Sequence, residues 1–211
     1  MIFMTYSMPS FTRLLQGVNG VNYRTISRNG IPSTAIRKAL KKTVASYRFA
    51  QGRSARTSFV IVDTQSVKTT DLTKNSGYDG GKKISGIKRH INGLPQAILV
   101  TRANVSDRSG ALAMFSLASQ NLELVQHVMV DGGYTGNDFA DQVKLILNAK
   151  TTVAKRNELH MFTVLPQRWI VERSWSWLDK CRRLWKNCER ALNSSLQMVV
   201  LAFLNIVLKR C

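Results

Sequence analysis

Two short apolar runs, each closed by an aspartate, constrain this chain more than any other feature. Phe59-Val60-Ile61-Val62 is followed by Asp63, and Val128-Met129-Val130 by Asp131. A continuous apolar run of this length reads as a strand covered on both faces, which requires helices above and below the sheet. A carboxylate at the carboxyl end of such a strand lies at the crevice where open α/β sheets bind ligands. The plainer alternative is that each aspartate only begins a turn, aided after Asp131 by Gly132 and Gly133. The runs alone leave both readings open.

Around these runs the pattern is of strands followed by alternating strand and helix. Residues 82–92 and 96–102 read as two strands, with Asn92-Gly93 as the hairpin signal between them. A helix over 110–120 precedes the second apolar run. The order points to an α/β fold, a mixed sheet flanked by helices, with a helical C-terminal third. In that third, one helix is predicted from near Pro166 to about Arg190. Asn193 or Ser194 caps another, whose Leu196, Val199, Val200, Phe203 and Val207 recur at core spacing. Upstream, Ser33 or Thr34 caps a helix through IRKALKKTVASY, its cations forming a solvated face. These signals divide the chain into a residual helical, basic segment at 1–56 and an α/β domain at 57–211.

Charge narrows the partner. Among 211 residues, 31 Lys plus Arg face 12 Asp plus Glu, a formal net charge of +19. A domain this basic suits a polyanion, with nucleic acid ahead of membrane. The stretch Met198–Leu208 is too short to span a bilayer, and the first ten residues lack a signal-peptide pattern. Three cysteines without a CxxC, and three scattered histidines, argue against a zinc site or disulfide framework. A reducing cytoplasm is the expected setting, without a membrane.

A third acidic residue lies in RWIVERSWSWLDKCRRLWKNC. Helical spacing places Arg168, Glu172, Ser176, Asp179 and Arg183 on one stripe. Ile170, Ser174, Trp177, Cys181, Leu184 and Cys188 fall opposite, toward the core. Trp169 and Trp175 flank Glu172, which is unusual for a purely solvent-facing stripe.

The segments IVDTQSVKTT, GYDGGKKISGIKRHI, VMVDGGYTG and VLPQRWIVERSWSWLDKCRRL, in that order, resemble the catalytic domain of DDE transposases of the bacterial insertion-sequence-five group. The resemblance runs from about residue 58 to 210 and implies an RNase-H-like fold, so that 57–211 is the DDE catalytic domain. It makes Asp63, Asp131 and Glu172 the catalytic, metal-binding triad. Related elements share a signature of Tyr, two residues, Arg, three residues, Glu, six residues, Lys. Here those positions hold Leu165, Arg168, Glu172 and Asp179, with Lys180 one residue beyond.

The implied reaction is metal-dependent DNA cleavage and strand transfer, with two Mg²⁺ ions per site and Mn²⁺ as substitute. The implied partners are double-stranded DNA, both terminal inverted repeats and target, and further copies of the chain on that DNA. Lys82, Lys83, Lys88, Arg89 and His90 near the hairpin, and Arg168, Lys180, Arg182 and Arg183 around the Glu, are candidate DNA contacts. Two alternatives remain at this stage: a truncated, non-catalytic DNA-binding remnant, given the short region before the domain, and another RNase-H-like nuclease.

Overall fold

The computed structural model describes residues 33–70, 75–154 and 169–211. Six strands form one mixed sheet: β1 (Phe59–Lys68), β2 (Gly77–Asp79), β3 (Ile84–Asn92), β4 (Ile98–Arg102), β5 (His127–Val130) and β6 (Lys150–Val153). The order is β2-β3-β1-β5-β6, with β4 also on β3. β3 runs antiparallel to β1, β2 and β4, whereas β1, β5 and β6 are mutually parallel. An antiparallel meander joined to a parallel half is the α/β, RNase-H-like arrangement expected from the sequence.

Among the described residues, five helices cover the sheet: α1 (Ser33–Ala50), α2 (Asp107–Ala118), α3 (Asn137–Leu147), α4 (Trp169–Asp179) and α5 (Leu192–Leu208). Strand alternation sorts the core into two layers. Val60, Val62, Val128 and Val130 point toward α2 and α3, meeting Met114, Phe115, Phe139 and Val143. Ile61 and Met129 point the other way, toward α1, α4 and α5, with Val171, Trp175, Val199 and Phe203. Each apolar run is therefore covered on both faces, which is why neither shows polar alternation.

Local signals behave as the residue types suggest. The Ser106 side chain caps α2 by accepting from the Ser109 N–H. Asn148 closes α3 in the left-handed conformation. Gly93 turns the β3–β4 hairpin at φ +56°, and the Asn92 side chain accepts from Gln96 and Ala97 N–H. α1 buries Ile36, Leu40 and Val44 in the α5 layer, and exposes Arg37, Lys38, Lys41 and Lys42. In packing terms α1 shares its core with the sheet.

The C-terminal third is helical but differs in two details. α4 ends at Asp179, where a helix to Arg190 was expected. Cys181 is extended, at φ −90° and ψ 93°, and a 3-10 turn at Arg182–Leu184 follows. The chain then lies beside the end of β1, where Asn187 N–H donates to Lys68 O and Asn187 O accepts from Thr70 N–H. Those backbone bonds to β1 outweigh the continuing helical period of Cys181, Leu184 and Cys188. α5 begins at Leu192 with Ala191 as its cap and no side-chain capping bond, so neither Asn193 nor Ser194 serves as the cap. The nearby Ser195 hydroxyl instead donates to Asn187 Oδ1 at 2.6 Å.

Among the described residues, no helix is long and apolar enough to cross a membrane.

Candidate active site

Asp63 does not end its strand. β1 continues to Lys68, but its parallel pairing to β5 covers only Phe59 to Ile61. β5 stops at Val130, and Asp131 immediately leaves the sheet. Ile61 is paired with Met129. Two residues further along each strand are Asp63 and Asp131, so the carboxylates emerge level with each other and on the same face. A cleft lined by Ile61, Asp63, Met129, Asp131, Ala154 and Val171, with Val62 and Val130 at its base, holds both.

Each aspartate is held by donors. Asp63 accepts from its neighbour Thr64 N–H at 2.8 Å and from the Trp175 indole N–H at 2.9 Å. Burial raises the Asp63 pKa above the ordinary carboxylate value. The two hydrogen bonds oppose that shift, Asp131 adds to it, and Lys82 opposes it. Asp131 caps a 3-10 turn at Gly132–Tyr134, accepting from Gly133 N–H at 2.9 Å. The turn expected after Asp131 is thus present, and it fixes the carboxylate rather than competing with a role for it.

Beneath the pair runs a buried hydrogen-bonded chain. Tyr134 OH lies 2.8 Å from Thr64 Oγ1, which lies 3.0 Å from His90 Nδ1. His90 Nε2 lies 3.0 Å from Thr101 Oγ1. Burial holds the His90 pKa down to about 4, so the ring is neutral at neutral pH and bridges as donor and acceptor. The chain ties the residue after Asp63 to the turn after Asp131. Nothing in the local sequence signals it, because its four members come from four separate elements.

Glu172 lies on the first turn of α4, with its side chain exposed. Val171 beside it lines the cleft, and Trp175 three residues on bonds Asp63. Helix geometry puts Glu172 about 60° around the axis from Trp175. α4 therefore stands on the face of the sheet that carries both aspartates. Among the described residues, no three His, Cys, Asp or Glu side chains converge closely enough to hold a metal together. The structure brings Asp63 and Asp131 into one cleft, while Glu172 is an exposed residue of α4 next to the lining residue Val171. The stripe expected opposite Glu172 is shifted: Val171, Ser174, Trp175 and Leu178 are the buried positions of α4, and Cys188 is exposed.

The basic candidates divide. Lys82 and Lys83 are exposed, and Lys82 Nζ reaches the Thr64 carbonyl at 3.0 Å, beside the cleft. Lys180, Arg182 and Arg183 are also exposed, and Arg183 pairs with Glu189. Arg168 lies outside the described residues. Lys88, Arg89 and His90, expected as DNA contacts, are instead buried. Lys88 Nζ pairs with Asp107 at 2.8 Å and Asp79 at 3.3 Å, and donates to Val105 O. The Arg89 guanidinium donates to Leu184 O at 2.8 Å and to Gln65 Oε1 at 3.3 Å. β3 is covered on both faces, so consecutive side chains are all enclosed and each polar head needs an internal partner.

A family model described as a transposase DDE domain matches residues 54–208. The chain belongs to the transposase DDE domain family. This transposase domain is also 31% identical over 116 residues to a putative transposase for insertion sequence element IS402 from Burkholderia cepacia. That alignment takes in 50% of this chain and 54% of the other, so the chain spans about half the length of the curated relative it matches. Among solved structures, the transposase domain is similar to the catalytic core domain of BIV integrase, with a TM-score of 0.36 and 15% identity, over 68% of this chain and 82% of that one.

Proposed function

We propose that this transposase domain cleaves DNA at insertion-sequence ends and transfers the freed strand, with Asp63, Asp131 and Glu172 as its acidic centre. The observation that carries the reading is the register of β1 and β5, which sets Asp63 and Asp131 level in one cleft. The four motifs also favour the insertion-sequence-five group within the family.

The donor set fits a hard divalent cation. Both aspartates offer oxygens, and among the described residues neither forms an ion pair. The raised Asp63 carboxyl reports burial first and then repulsion from Asp131. Two like charges ~4 Å apart repel by about 1 kcal/mol in water and about 4 kcal/mol near a protein surface. Mg²⁺, with Mn²⁺ as substitute, suits such ligands. Glu172 serves as the third ligand, a role supported by its place on the helix whose Trp175 holds Asp63. Two such ions, when bound, supply an activated attacking oxygen and charge relief for the leaving oxygen at phosphorus.

The chain's own residues supply orientation. Thr64 N–H and Trp175 fix both oxygens of Asp63, and Gly133 N–H fixes Asp131. Lys82 holds a cationic charge beside the cleft, suited to a DNA phosphate. Lys83, Lys180, Arg182 and Arg183 extend backbone contact outward, with Arg168 a further candidate from the sequence, positioning DNA without reading its base sequence. Pairing two ends calls for more than one copy of the chain on the DNA.

The test is incubation of the protein with its element's ends and Mg²⁺ or Mn²⁺, scored for nicking and joining. Asp131→Asn lowers cleavage by about 10²- to 10³-fold, the scale seen when one preorganised electrostatic group is lost, and leaves metal-free DNA binding in place. Undiminished metal-dependent cutting by Asp131→Asn defeats the assignment. Binding without any cutting by the wild type leaves the remnant reading, and cutting without joining leaves the nuclease reading.

A further inference from the structure

The segment after α4 is a loop built around buried anchors, and its outward face combines an aromatic plate with cations. Leu184 and Asn187 are buried, while Arg182, Trp185, Lys186 and Arg190 are exposed, Trp185 by 64%. Asn187 is bonded to β1 through backbone on both sides and to Ser195 through its side chain. The buried Arg89 guanidinium holds Leu184 O from below. The Trp185 indole N–H donates to Asp179 O, which fixes the ring edge and leaves a face in solvent.

The loop is also tied to the acidic cleft. Gln65 donates to Asp179 Oδ1 at 3.2 Å and accepts from Arg89. Gln65 is two residues beyond Asp63 on β1, the same face of the strand about 7 Å further on. From these placements we propose that residues 182–190 form a preorganised platform for an unpaired DNA segment next to the reacting phosphate. Trp185 stacks on one unpaired base, and Arg182, Lys186 and Arg190 meet the backbone. Every base presents a π-face, so the platform is sequence-tolerant. Arg89 is a positioning residue that acts through Leu184. The inference rests on the reading of DNA as substrate, and it adds that the bound DNA is locally single-stranded at this loop.

The experiment measures binding of the full chain in EDTA, with a labelled duplex carrying a short single-stranded 3′ tail and the same duplex blunt. Trp185→Ala weakens binding to the tailed duplex by about 5- to 150-fold, the range for loss of one base–aromatic stack, and leaves blunt-duplex binding unchanged. Trp185→Phe retains most of the tail preference. Arg182→Ala with Lys186→Ala weakens the tailed duplex more than the blunt one and flattens the salt dependence of tailed-duplex binding, since two phosphate contacts go. Equal weakening of both DNAs by Trp185→Ala, or no effect on either, overturns the platform while leaving DNA as substrate. Failure of the wild type to bind either DNA overturns the substrate reading itself, and the platform with it.

Discussion

Replacing Lys88 by methionine separates the buried network from the DNA surface. The Lys88 ammonium sits between Asp79 and Asp107, and donates to the Val105 carbonyl. Asp79 is itself buried, and its remaining donors are Ser66 Oγ at 2.6 Å and the N–H groups of Gly81 and Lys82. Methionine matches the lysine stem closely in volume, so packing changes little. The carboxylate left behind lacks its cation, which for a buried pair costs about 3–5 kcal/mol. With a urea m-value of about 2–3 kcal/mol/M, the unfolding midpoint drops by about 1–2.5 M. Acid should narrow the gap. Burial pushes the Asp79 pKa up, but Ser66, the Lys82 N–H and Lys88 together hold it down at about 2. A depressed carboxylate contributes stability above its unfolded pKa and loses it as pH falls through the folded value. The wild type's advantage over Lys88→Met therefore shrinks between about pH 4 and pH 2. Urea melts followed by circular dichroism at several pH values read both effects. A Lys88→Met protein that melts with the wild type, yet binds DNA more weakly, would refute this account and restore Lys88 to the DNA surface.

Three further outcomes follow from the same packing. Gly110→Ala destabilises by about 1–3 kcal/mol by overpacking, against a gain in helix propensity of about 1 kcal/mol. The new methyl would lie 2.0 Å from His90 Cε1, in a ring bonded at both nitrogens; a stabilised variant in a thermal melt would show that the ring moves freely. Relative to the wild type, Asp63→Asn gains thermal stability in the metal-free protein as pH rises toward neutral, because a carboxyl whose pKa is raised on folding loses stability as pH rises through that value. At every pH the new amide NH2 faces one of the two N–H donors that Asp63 accepts from, a constant cost. The gain should vanish at acidic pH, and a pH-independent gain would point to packing instead. Duplex DNA affinity should fall by about 10³- to 10⁵-fold between 50 and 200 mM salt if ~6–10 phosphates are contacted, with a flat response arguing that the charge serves another purpose.

The parts of the fold legible in the sequence were those set by short-range pattern. Two apolar runs gave the parallel strands, Asn92-Gly93 gave the hairpin, and the α5 stripe gave its buried face. The paired aspartates were visible for the same reason, since each follows directly on its run. What was hidden depends on partners distant in the chain. Lys-Arg-His at 88–90 resembles a solvated cluster, and only Asp107, Leu184 and Thr64 reveal it as interior. The course of the chain after α4 was hidden likewise, because the bonds that fix Asn187 come from the end of β1. β2, α3 and β6 carry weaker patterns and were not separately delimited.

The pairing of β1 with β5 has a consequence for how this chain can change. Side chains alternate between the faces of a strand, so a slip of one residue sends every following group to the opposite side. Deleting any single residue from 59–62 or 128–130 would turn one carboxylate toward the α2–α3 side, among Phe115, Phe139 and a Thr64–His90–Tyr134 chain whose groups already bond one another. Exchanging Val for Ile in the same runs leaves the spacing intact. The two runs thus act as rulers whose length matters more than their spelling. The chain can drift at nearly every letter of them, but it cannot lose one.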